Sequence, residues 1–150
     1  MVADLIESAA RRLYLGVCLE ARAALATTLA KLRPKQISVL LVADPRRAQE
    51  LTTEIETYSQ WLSPKKTLQI LHFPEAPPPD IDATRRADRI CDRLAVLSTL
   101  LSSKQQTRLL IATPEALLGA CPDRKQFESR QLKLRTGEGH PFKALINTLT

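Results

Sequence analysis

The chain has 150 residues, 44% hydrophobic and 25% charged, which is a single-domain length with the composition of an ordinary folded protein. Its 22 lysines and arginines against 16 aspartates and glutamates give a net charge of +6, enough to tolerate a polyanion but not to require one. Three scattered cysteines and two distant histidines exclude a disulfide framework and a metal centre, 4% aromatic content argues against a base-stacking platform, and no apolar run reaches the roughly 18 residues that span a bilayer.

Cys18, Cys91 and Cys121 each lie among apolar neighbours and read as reduced thiols in a cytosol, Cys18 and Cys91 as core residues. The start of the chain carries acids and no basic stretch, unlike a signal peptide. Residues 13–17 (LYLGV) form a short apolar run through Gly16, a candidate first strand. Residues 19–32 (LEARAALATTLAKL), with neither glycine nor proline, predict a helix that Pro34 stops. Residues 37–43 (ISVLLVA) are almost wholly apolar and predict a strand buried on both faces. Asp44 and Pro45 then open a helix to about residue 59 or 62, with Ala48, Leu51, Ile55 and Tyr58 on one face.

Residues 67–73 (TLQILHF) alternate more and predict a less central strand, followed by a stiff loop at residues 74–79 (PEAPPP). Thr84 is placed to cap the next helix, whose expected apolar face is Ala87, Ile90, Cys91, Leu94, Leu97 and Leu101. Residues 108–112 (RLLIA) give a fourth, buried strand, and Thr113-Pro114 starts a short helix ending at Gly119. Strands alternating with helices predict an α/β fold, a three-layer parallel sheet of about four strands with helices on both faces, over residues 1–120.

Beyond Cys121 the texture changes. Basic residues dominate, residues 131–135 alternate like an exposed strand, Gly137 and Gly139 turn, and Pro141 opens a helix. A strand and part of a helix do not make a core, so residues 121–150 are expected to begin a second, truncated α/β domain whose strand has an unpaired edge.

In a parallel α/β domain ligands sit beyond the carboxyl ends of the strands. Gly16 to Ala23 occupies the place of a phosphate loop, G-x-x-x-x-G-K-[ST], but three of its working parts are changed. Ala21 stands for the second glycine, Arg22 for the lysine and Ala23 for the hydroxyl residue that holds magnesium. The equally open reading is a plain strand–helix turn that never held phosphate. On either reading neither nucleotide hydrolysis nor a cofactor is expected.

Residues 37–50 (ISVLLVADPRRAQE) resemble the second-strand motif of superfamily-two helicases, and residues 109–118 (LLIATPEALL) resemble their Thr-Pro motif. In those enzymes such turns hold nucleic-acid backbone, which points to Arg46, Arg47 and Thr113, with Arg85, Arg86 and Arg89 as further basic candidates. The alternative is that these helix starts serve capping alone.

Residues 72–76 (HFPEA), then Asp88-Arg89-Ile90 with residues 93–97 (RLAVL), then 109–118 and 132–137 (LKLRTG), fall in the order found in bacterial transcription-repair coupling factors and in the related excinuclease B subunit. The resemblance runs from about residue 12 to the end and implies a degenerate RecA-like fold in the bacterial cytoplasm. The altered loop favours the coupling factor, whose first domain lacks the nucleotide site. It also implies a non-catalytic role in nucleotide excision repair, through excinuclease A or through other domains of the same protein, in a parent that is itself an ATP-dependent translocase. Where excinuclease B inserts an aromatic hairpin that clamps DNA, this chain has only residues 77–83 (PPPDIDA), so DNA contact is expected to be weak and non-specific.

The rival is the DNA-binding half of an ATP-dependent superfamily-two helicase. A dinucleotide or receiver domain fits less well: Gly16 stands without further glycines, and Asp44 is better explained as a helix cap.

Overall fold

The computed structural model describes residues 16–62, 68–102, 106–131, 136–137 and 139. Along them run α1 (Leu19–Lys31), β1 (Ile37–Leu41), α2 (Pro45–Leu62), β2 (Leu68–Phe73), α3 (Ala83–Leu101), β3 (Thr107–Ala112), α4 (Pro114–Leu118) and α5 (Arg124–Ser129). The chain divides into two units, Met1–Gly119 and Ala120–Thr150. The first holds the sheet. In the second, Asp123 caps α5 by accepting from the Lys125 amide at 3.1 Å, and Arg124 pairs with Glu128 at 3.0 Å one turn on.

The three strands are all parallel and lie in the order β1-β3-β2. The four strands expected from sequence become three among the described residues. Leu13–Leu15 fall outside them, Gly16 and Val17 are not in a strand, and Leu132–Arg135 of the expected tail strand also fall outside.

Residue alternation sorts the side chains of the sheet onto two faces. On one face Leu109 and Ile111 of β3, with Leu68 of β2, meet Ala23 and Ala30 of α1 and Ala48, Leu51 and Ile55 of α2. The buried row of α1 is small, Ala23, Thr27 and Ala30, which lets α2 approach closely; the Thr27 hydroxyl is satisfied by donating to the Ala23 carbonyl at 2.7 Å. At the far end of the same pair Lys31 Nζ donates to the Ser59 carbonyl. On the other face Leu110 and Ala112 of β3 and Phe73 of β2 pack against Val96 of α3 and Ala116 of α4.

Three expectations about burial are corrected. Among the described residues β1 is an edge strand, and Ile37, Val39 and Leu41 stand 48%, 53% and 57% exposed instead of buried on both faces. The sheet side of α3 carries Arg93 and Val96, with Leu97 and Leu100 packed nearby, while Ile90, Cys91 and Leu94 of the expected apolar stripe face solvent. The helix takes this rotation because Arg93 finds partners on the sheet side, described below. Its cap is Asp82, accepting from the Arg85 amide at 3.0 Å, and not Thr84, which lies inside the first turn. All three cysteines are exposed: Cys18 precedes α1 as its cap residue, Cys91 lies on the outer side of α3, and Cys121 precedes α5.

Candidate functional site

Because the strands are parallel, the N-termini of the following helices α2, α3 and α4 gather at the carboxyl end of the sheet. Two grooves open there. The first lies between α1 and β1, where a phosphate loop would sit.

Gly16 takes a left-handed backbone, φ +72°, that suits glycine, and only Val17 and Cys18 separate it from α1. A phosphate loop needs a longer non-helical path whose amides converge on the anion. Here that stretch is already helix. The Ala21 amide donates to the Cys18 carbonyl at 3.1 Å, Arg22 is exposed with Nε donating to the Val17 carbonyl at 3.4 Å, and Ala23 is fully buried in the core. The adjoining groove, about 790 Å³, is walled largely by Leu19, Leu25, Leu29, Leu40 and Leu51. Such walls suit an apolar occupant far better than a polyphosphate.

Asp44 caps α2, its Oδ1 accepting from the Arg47 amide at 2.8 Å. The Arg47 guanidinium is held by Glu54 at 2.8 and 3.3 Å and by Glu50 at 3.0 Å. These hydrogen bonds, Glu54 first and Glu50 second, raise its pKa above the ordinary value. Arg47 is therefore already neutralised within its own helix.

The second groove, about 640 Å³, lies between the start of α2, the outer part of α3 and the loop after β2. Its charged and titratable lining is Arg46, Arg89, His72, Glu75 and Asp92. Arg46 and Arg89 are exposed and without a hydrogen-bond or ion-pair partner among the described residues. Burial pushes the His72 imidazole below its ordinary value of 6.5, and Asp92 pulls weakly the other way. Thr113 also lines this groove, but it is 2% exposed and its hydroxyl is committed on both sides: it donates to Glu75 Oε1 at 2.9 Å and accepts from the Ala116 amide at 3.1 Å.

The remaining basic candidates lie at the start of α3. Arg85 pairs with Asp82 at 3.4 Å, and Arg86 donates to the Pro79 carbonyl. Of the six residues singled out for phosphate contact, the structure thus brings Arg46, Arg89 and Thr113 to one groove and leaves only the two arginines uncommitted.

The chain matches no family model, no curated protein and no solved structure.

What sequence reasoning missed is Arg93. It is 6% exposed, its guanidinium stacks over the Phe73 ring at 4.2 Å, and it donates to the carbonyls of Pro74 at 2.6 Å and Ala116 at 3.3 Å. It therefore joins three separate segments, residues 73–74, α3 and α4, and the Thr113–Glu75 bond ties the first to the start of the last a second time. A cation in the middle of a leucine-rich stretch (ICDRLAVL) was the available signal, because a buried arginine needs several fixed acceptors. Among the described residues no group of three histidine, cysteine or acidic side chains is placed to hold a metal, and no helix is long and apolar enough to cross a membrane.

Proposed function

We propose that this chain is a non-catalytic module of a transcription-coupled nucleotide excision repair factor, acting by protein–protein contact with excinuclease A or by docking against other domains of its own polypeptide. The observation that carries the non-catalytic part is the early start of α1: with Leu19 to Ala23 in helix, the free amides are only those of an ordinary first turn, which meet a single anion and do not wrap a triphosphate. The repair assignment is supported by the order of segments 72–76, 88–97 and 109–118, and by the way Phe73, Pro74, Glu75, Arg93 and Thr113 interlock. Residues that depend on one another in space give that order a physical reason. A degenerate RecA-like fold, in a parent that continues into a translocase motor, is part of the same proposal.

Calorimetric titration of ATP with magnesium into the chain is expected to give no heat of binding, and turnover of ATP would overturn the non-catalytic reading. Titration against purified excinuclease A tests the partner. Weak binding by this chain and tight binding by a version extended through a complete second domain is the expected pair of results.

A second reading, the DNA-binding half of a superfamily-two helicase, is favoured by one observation, the meeting of Arg46 and Arg89 in a single groove at the carboxyl end of the sheet. Two uncommitted guanidiniums correspond to a salt slope of about −2 in log K against log salt. A slope several times steeper, or binding that survives moderate salt, would favour this reading over the first.

A further inference from the structure

The open edge of β1 has the features of a docking strand. The Arg108 amide donates to the Gln36 carbonyl at 3.2 Å and the Val42 amide donates to the Ala112 carbonyl at 3.0 Å, so the even-numbered residues of this stretch turn their main chain toward β3. By the two-residue alternation, Ile37, Val39 and Leu41 turn their N–H and C=O groups to the open side. Among the described residues none of the three has another hydrogen-bond partner, and their side chains are about half exposed. The strand, ISVLL, also lacks three usual protections of an edge: it has no proline, no charge and no bulge.

Beside this edge, on the α1 face, runs a trough with an arginine at each end. Arg22 lies with Leu41 and Val42 at the carboxyl end of β1, and Arg33 lies with Gln36 and Ile37 at its amino end. Both are exposed, and neither has an acidic partner among the described residues. Apolar side chains of α1 and β1, including Leu25, Leu29 and Leu40, line the space between them.

We propose that β1 takes an added strand from a partner protein: an extended segment with apolar side chains at alternate positions and a carboxylate toward each end. Main-chain hydrogen bonds to Ile37, Val39 and Leu41 hold it, its apolar residues enter the trough, and its acids meet Arg22 and Arg33. β1 is five residues long, about 16 Å, which sets the separation of the two acids at six residues, an even number that keeps both on the face of the apolar side chains. This surface goes beyond the repair reading and does not rest on it, since the trough shares no lining residue with the groove of Arg46 and Arg89 and asks nothing of nucleotide or DNA.

The test uses the full chain and the capped peptide Glu-Thr-Val-Thr-Val-Thr-Glu, whose acids and valines share one face, followed by fluorescence anisotropy and by amide hydrogen exchange. In the free chain the amides of Val39 and Leu41 should exchange far faster than those of Ser38 and Leu40. The peptide should slow the first set selectively. N-methylation of the peptide at alternate residues should abolish binding, and Arg22→Glu with Arg33→Glu should weaken it by at least about tenfold. Val39→Pro should also abolish binding with the fold kept, because its lost N–H faces outward; if it fails to fold, the methylated peptide and the arginine pair still decide. Equal binding of the methylated peptide, or of the arginine variants, overturns the proposal. So does protection of the same amides in the free chain: with a concentration-dependent dimer in sedimentation the occupant is a second copy, and without one it is another segment of the same chain. Displacement of the peptide by an oligonucleotide would overturn it as well. Failure of excinuclease A to bind, with peptide binding intact, would sink the repair reading alone.

Discussion

β1 and β3 look alike as sequences, ISVLL and TRLLIA, yet they end in opposite surroundings. β3 is flanked by a strand on each side and has five of its six residues buried, whereas β1 alternates between half-buried and exposed. An apolar run records the capacity to be buried, while the neighbours in space decide how much of that capacity is used. The same lesson separates Arg93 from Arg89, one helical turn apart on α3: the first is buried against a ring and two carbonyls, the second is exposed and uncommitted.

The strand comparison breaks most sharply with paired truncations. Ile111 is fully buried between α1, α2 and the sheet, so Ile111→Ala should cost about 2–5 kcal/mol, transfer and cavity terms together. Leu41 is 57% exposed, and Leu41→Ala should cost less than about 1 kcal/mol. Urea melts of the two variants measure the difference directly. Equal losses would mean that the β1 face is covered in solution.

The arginine comparison comes next in size. Arg93→Ala removes the cation over Phe73 and leaves the buried carbonyls of Pro74 and Ala116 short of a donor, an expected loss of about 2–4 kcal/mol. Arg89→Ala should stay within about 0.5 kcal/mol, because no contact is lost. Arg93→Lys sharpens the result: an ammonium keeps the charge but cannot both stack on the ring and fork to two carbonyls, so it should recover only part of the loss.

Much of the element order was legible in the residues, and the reasons are local. Pro34, the Asp44-Pro45 start, the proline-rich loop and Thr113-Pro114 punctuate the chain through φ restriction and capping, which act within a few residues. The buried face of α2 followed from spacing alone, since Ala48, Leu51 and Ile55 form one stripe with no competing polar partner. The face of α3 did not, because the spacing of leucines competes with a tertiary demand that only the folded chain displays: acceptors for Arg93 contributed by residues 19 and 23 positions away. The edge position of β1 was hidden for the same reason. Of the expected arginines, Arg46 and Arg89 stand exposed in one groove, whereas Arg47 is paired within its helix by Glu50 and Glu54, whose helical spacing from it was visible in the sequence.

The smallest expected effect is a pH dependence at the second groove, where His72 contrasts with the exposed charges around it. Desolvation lowers its folded pKa below 6.5, with Asp92 partly opposing, while in the unfolded chain it titrates near 6.5. Between those two values the unfolded chain binds more protons, so folding stability falls as the pH drops through that window. Above 6.5 the full stability is present, and below the folded pKa the loss stays constant. Asp92 favours the imidazolium and partly offsets burial, so the net drop is modest. The urea midpoint of the chain should therefore decline from pH 8 to pH 5, and His72→Gln should flatten that decline. Asp92→Asn should steepen it, because it removes the one attraction that offsets burial. A steeper decline in His72→Gln, or a shallower one in Asp92→Asn, would reverse the sign assigned here and mean that the imidazolium is the form the groove prefers.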